Sequence, residues 1–380
     1  MTQAGKVKKR LHFLDNLRTF LVFLVVVNHS GWVYESSGVG AFFWLVDDPD
    51  TNRLSGQINT IIDMFVMSLI FFVSGYFTLP SLKSKAPVAY IRSKLKRLML
   101  PWLIAVLTLI PLYKVIFLYS RGIPQDTWTS YFHWANGGGS QNWLWFLPVL
   151  FMFDMIFLGL SKIPMNWPKI SRRTGIIGFF ILALSFSLFM DLNHLEGWTK
   201  SALLDFQNER LFIYFMMFLL GALSQYHAVF DIKPARVVSL LLILACVSVP
   251  LFIYLKFNTQ GFVFPGTYIL SKTGDSLVKW SCFHLSLLGI GYFIIEGFRL
   301  LVDRRNRFMD ELNRNTYNVY IIHAAVLGGI ALLLLETNMP SILKYVILIL
   351  STYTSSNIIV HLHTRFIKPI LTNLQRGNVK

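Results

Sequence analysis

The sequence predicts an all-α fold, a polytopic integral membrane bundle of about ten transmembrane helices with both termini cytoplasmic. Three observations carry that expectation. Hydrophobic residues make up 54% of the 380 positions and only 14% are charged, well below the roughly 25% of soluble proteins. Apolar runs long enough to cross a bilayer fall at about 13–34, 58–79, 98–119, 142–160, 175–192, 209–226, 237–256, 277–298, 315–335 and 341–362. The loops between them alternate in charge. Lys6, Lys8, Lys9 and Arg10; Lys83 to Arg97; Lys162 to Arg173; Lys233 and Arg236; Arg299 to Arg314; and Arg365 to Lys380 form one set, which the positive-inside rule places in the cytoplasm. The opposite set is acidic, with Glu35, Asp47, Asp48, Asp50, Asp126, Glu196, Asp205, Glu209, Asp275 and Glu336. The net charge of +16 therefore reads as loops facing anionic lipid and calls for no nucleic-acid partner.

Residues 1–380 read as one integral-membrane domain without an appended soluble domain. The basic start MTQAGKVKKR lacks a small-residue cleavage site and reads as the anchor of an uncleaved first helix. Cys246 and Cys282 lie in apolar runs as small core residues, with no disulfide or CxxC framework. No repeat relates one half of the chain to the other, which weighs against a transporter of inverted repeats.

The first run, RLHFLDNLRTFLVFLVVVNHSGWVYESS, carries the leading site candidates, Arg18 and His29. Eleven positions at 100° per residue bring both to one helical face, about 16 Å apart along the axis. Ionisable groups inside a span are costly and usually functional. The residue-level alternatives are a helix-packing histidine and an Asp15–Arg18 ion pair.

Asp63, toward the outer end of the second run, is a candidate to orient His29 or to bind an acceptor hydroxyl. In FFVSGYF, Ser74 and Gly75 permit close helix approach. Lys94 and Arg97 then lie three apart before Pro101, on one helical face, where two donors could hold the phosphates of a cytoplasmic nucleotide-bearing donor. Topology and snorkelling are the competing account of that basic run. In the loop at 120–141, Gly137, Gly138 and Gly139 precede NWLWFLP and suit either a lid or a flexible connection.

Eight tryptophans, Trp32, Trp44, Trp128, Trp134, Trp143, Trp145, Trp198 and Trp280, map to the outer side, and only Trp102 and Trp167 to the inner. Aromatic faces there could stack on sugar rings. Trp145 and Tyr34 are the candidate substrate-binding residues. His323 in YNVYIIH sits near mid-membrane as a further catalytic candidate, whereas His284 and Asp154 have no evident role and Lys114 snorkels outward. His361 and His363 are poorly spaced for a helical metal site, and no metal is expected.

Taken together in order, FLDNLR with His29, NHSGWVYESS, FFVSGYF, the basic run ending KRLMLP, WLWFLPVLFMFD, FMMFLLGALSQ and TYNVYIIH resemble the acyltransferase-3 superfamily of membrane O-acyltransferases. The nearest likeness is to the group containing the succinyltransferase of osmoregulated periplasmic glucans. The resemblance implies that Arg18 and His29 are essential, that His323 matches a family histidine, and that Lys94 and Arg97 stand where two arginines bind acyl-CoA. Lysine keeps the charge of the first arginine and loses its fork, and Arg92 is the alternative. It implies no tightly bound cofactor, acetyl-CoA or succinyl-CoA as donor on the cytoplasmic side, and an extracytoplasmic carbohydrate acceptor. It also implies a multi-pass protein of a bacterial cytoplasmic (inner) membrane, with which a homodimer is compatible. His29 would be the general base of the transfer. A secondary transporter or flippase with an intramembrane proton relay, and an acyltransferase-like assembly subunit, are the competing classes.

Overall fold

The computed structural model describes residues 11–125, 127, 141–162, 171–201 and 203–367. The basic start, the glycines 137–139, Asp126, Trp128, Trp134, Trp167, Lys169, Lys368, Arg376 and Lys380 lie outside them. The described elements are α1 (His12–Tyr34), α2 (Val39–Phe43), α3 (Arg53–Lys83), α4 (Pro87–Lys94), α5 (Leu100–Ser120), α6 (Phe146–Leu160), α7 (Arg172–Leu192), α8 (Asn208–Tyr226), α9 (Val237–Val263), α10 (Lys272–Leu301), α11 (Arg307–Leu335) and α12 (Ser341–Leu362). A two-residue hairpin pairs β1 (Trp198–Thr199) with β2 (Phe206–Gln207), antiparallel.

Nine described helices are long and apolar enough to cross a membrane, α4 and α5 counting as one through Pro87–Ser120. Ten were expected. The run at about 209–226 does form a helix, α8, but it opens on Asn208, Glu209 and Arg210. Those charges lower its apolarity. Glu209 and Arg210 are buried in the bundle, where protein rather than lipid receives them.

α1 is the hub, packing on α3, α10, α11 and α12. α3 lies along α8, whose other side meets α7. Glycine decides that pairing: a Cβ at Gly75 would sit 1.9 Å from the Phe218 carbonyl oxygen, and one at Gly221 would sit 2.0 Å from that of Phe72. Small residues let the two backbones touch. α9 packs mainly on α10 and turns Leu241, Leu242 and Phe252 outward, as a lipid-facing helix does.

Two departures from a plain bundle shape the site. Leu95–Met99, between α4 and α5, is a π-helical turn, and the Tyr317 hydroxyl donates to its Arg97 carbonyl at 2.6 Å. The second is the 3₁₀ turn Asn142–Trp145 that leads into α6. It lies within the bundle: the indole of Trp102 donates to Gln141 Oε1 at 3.1 Å, and that of Trp143 to the Ile321 carbonyl at 2.9 Å. Non-helical backbone at such depth is tolerated where protein buries it or a cavity hydrates it.

Polar contacts zip α1 to α11. Asn16 and Asn313 exchange a side-chain hydrogen bond at 2.8 Å, and the Thr19 hydroxyl meets Asn313 Oδ1 at 2.5 Å and Thr316 Oγ1 at 2.6 Å. Ten residues farther along each of α1 and α11 from Thr19 and Asn313 stand His29 and His323. Interhelical polar bonds of this kind fix register where hydrophobicity cannot.

Candidate active site

The eleven-residue spacing in α1 does what helical geometry requires, turning both Arg18 and His29 toward α11. Arg18 donates to the Asn313 carbonyl at 3.3 Å and lies 3.8 Å from Asp15. It therefore works at the far end of the zipper, about 16 Å from His29 by helical rise.

His29 borders a cavity of about 850 Å³, walled by α1, α3, α5, α8, the 142–145 turn and the β hairpin. Its Nδ1 lies 2.7 Å from His323 Nε2. His323 is fully buried, and its Nδ1 lies 2.7 Å from the Tyr320 carbonyl oxygen. A carbonyl only accepts, so His323 carries its proton on Nδ1 and presents a lone pair at Nε2. His29 must then donate from Nδ1. The consequence is a neutral His29 whose Nε2 lone pair is left for the cavity, with no hydrogen-bond partner among the described residues. An imidazole held in one tautomer by a neighbour's hydrogen bond is how a general base is oriented.

Asp63, expected as a partner of His29, is paired elsewhere. Its carboxylate takes an ion pair from Arg210 at 2.6 Å, and Arg210 also donates to the Asp63 carbonyl at 2.8 Å. The side chain hydrogen-bonded to His29 is instead His323, 294 positions away. Asp63 still faces the cavity, together with Trp145, Trp198, Tyr214, Lys200 and Gln207. Trp145 stacks edge-on to Trp198 at 5.6 Å and tilts on Tyr214 at 5.7 Å, so the sequence-predicted Trp145 is part of an aromatic wall. Tyr34 is not at the cavity. It is fully buried against Tyr345, because the last turn of α1 is covered by α12.

The candidates of the basic run divide. Lys94 Nζ lies 2.8 Å from both carboxylate oxygens of Asp154, which is fully buried and also accepts from Tyr90 and Thr78 at 2.8 and 2.9 Å. Its charge is therefore neutralised inside the bundle. Arg92 and Arg97 are exposed and present their guanidinium groups at the surface, in and beside the π turn. Asp154, which the sequence left without a role, is the anchor of that corner. Lys114, read as snorkelling, lines the cavity.

Two further residues at or next to this cavity were not singled out from the sequence. Arg210 had a visible signal, an Asn-Glu-Arg opening to an otherwise apolar run. Trp44 was legible only as one of eight outer tryptophans: it follows the short helix α2, is 1% exposed, and its ring stands 4.6 Å from that of His29. Among the described residues no cluster of three or more metal-ligating side chains occurs.

A family model described as "Acyltransferase domain" matches residues 11–361. No curated protein and no solved structure matches the chain.

Proposed function

The chain belongs to the acyltransferase-3 family of membrane acyltransferases, and from that premise we propose that it moves an acetyl or succinyl group from acyl-CoA to a hydroxyl of an extracytoplasmic glycan, with His29 as general base. The observation that carries the proposal is the tautomer chain from the Tyr320 carbonyl through His323 to His29, which leaves His29 Nε2 as an unspent acceptor on the cavity wall. In the transfer, His29 Nε2 takes the acceptor hydroxyl proton as that oxygen attacks the thioester carbonyl. The tetrahedral intermediate collapses by breaking the carbon–sulfur bond, and the proton on His29 goes to the departing CoA thiolate. His323 accepts from His29 Nδ1–H throughout and steadies the imidazolium.

The acceptor class is supported by the composition of the far wall. Trp145, Trp198 and Tyr214 offer flat apolar faces, and Asp63, Lys200 and Gln207 offer donors and acceptors beside them. A few placed polar groups among aromatic surface suit a pyranose, whose faces are apolar and whose rim carries hydroxyls. This end of the bundle carries the acidic loops, which the charge pattern assigns to the outside of a bacterial cytoplasmic membrane. On the other side, Arg92 and Arg97 supply exposed guanidinium groups for the phosphates of the donor, and Arg97 is suited to a bidentate contact. Lys94 supports that site indirectly, by tying the end of α4 to α6 through Asp154.

The test is release of free CoA by purified protein given acetyl-CoA or succinyl-CoA and a panel of oligosaccharides, beside His29→Ala. Acceptor-dependent release that His29→Ala abolishes, while the variant still binds CoA, is the expected result. Equal turnover by His29→Ala, or consumption of neither donor, overturns the reading and directs attention to flux in liposomes.

A further inference from the structure

The base accounts for the hydroxyl proton and leaves the other charge of the reaction unmet. When the hydroxyl attacks a thioester, negative charge develops on the carbonyl oxygen, and preorganised donors at that point are usually the largest single contribution to catalysis. We propose that the indole Nε1–H of Trp44 is a donor to that oxyanion. The proposal rests on the transferase reading of the same cavity.

Four observations support it. The Trp44 indole nitrogen is buried and has no hydrogen-bond partner among the described residues. An unpaired buried donor is destabilising, so its presence on a cavity wall needs a reason. Three other buried indoles behave differently, for Trp102 donates to Gln141, Trp143 to the Ile321 carbonyl and Trp280 to Asp191. The second observation is position: Trp44 lines the same cavity as His29, and the two ring centroids lie 4.6 Å apart.

Third, the residue is held firmly. Trp44 N donates to the Gly40 carbonyl at 2.7 Å, and the Trp44 carbonyl accepts from Arg121, which also holds Ala41 at 2.6 Å. The ring packs edge-on to Tyr113 at 6.2 Å. Such restraint is what a preorganised donor needs, since it must not reorient during the reaction. Fourth, neighbouring hydroxyls on the same wall are already committed. Tyr113 donates to the Phe43 carbonyl and Tyr320 to the Trp143 carbonyl.

Trp44→Phe tests the assignment because it keeps the aromatic ring and removes the N–H. Expected is a fall in kcat of about 100-fold, in the range of a single lost oxyanion donor. The donor KM and the pH profile of kcat/KM stay as in the parent, because His29 is untouched. The melting temperature holds or rises, since an unpaired buried donor has been removed. Parental kcat in Trp44→Phe overturns the proposal while leaving the transferase reading intact. A lower melting temperature or a shifted pH profile also overturns it, showing that the indole acts through a hidden partner or through packing on His29. A parent protein that transfers no acyl group removes the reading, and this assignment with it.

Discussion

Two buried polar networks in this bundle are built from similar materials and do opposite things. At the basic end, Lys94, Asp154, Tyr90 and Thr78 close on one another, with the lysine satisfied by the carboxylate and the carboxylate by three donors. At the acidic end, His29, His323 and the Tyr320 carbonyl form a chain that, among the described residues, stays open at His29 Nε2, and His29 lines a cavity of about 850 Å³. The first holds the bundle together, and on the proposed function the second serves chemistry. What separates them is stoichiometry: a closed set of donors and acceptors has nothing left for a substrate, whereas a chain of neutral imidazoles ends on a lone pair.

Breaking the open network has the largest expected effect. His29→Ala lowers the acyl-transfer rate by about 10⁴-fold, the upper range for loss of a general base, with the melting temperature near the parent's; CoA release alongside thermal melting checks both. Next is the closed network. Asp154→Ala leaves Lys94 in a half-buried site without its counter-charge, and removal of one partner of a buried pair costs about 3 kcal/mol. Detergent melting curves should show that loss, and a variant as stable as the parent would mean that Lys94 escapes to water. The comparison is sharpened by His323→Leu, which frees the tautomer of His29 without removing the base. A rate reduction of roughly 100-fold is expected, smaller than the ~10⁴ of a charged triad orienter because no ionic partner is lost. A pH–rate profile that keeps its shape would contradict the orienting role.

Smaller effects separate the cavity walls. Asp63→Asn weakens the grip on Arg210 and should raise the acceptor KM several-fold, with little change in the donor KM. The smallest effect belongs to Asp15→Asn, which removes a long, part-exposed contact with Arg18 at 3.8 Å. Such pairs contribute about 0–1 kcal/mol, and melting curves should scarcely move.

Much of this was legible in the chain. The apolar runs, the basic loops and the shared face of Arg18 and His29 are properties of neighbours in sequence, and helical periodicity carries them directly into space. Trp145 was legible because the WLWFLP run combines aromatics with a turn. Tyr34 was misleading for the same reason: it lies in a polar, aromatic stretch, yet α12 covers it. Lys94 looked like a ligand for phosphate because its partner Asp154, 60 positions away, carried no local signal.

The sequence by itself determined the membrane class, the array of spanning helices and the placement of a histidine in the first of them, because hydropathy and helical period are local. Tertiary structure alone decided which polar groups meet: His323 for His29 across 294 positions, Arg210 for Asp63 across 147, and a Trp44 indole, unpartnered among the described residues, against His29. The physical reason is that hydrogen-bond chemistry depends on direction and contact at about 3 Å, and those are set only when the helices have packed.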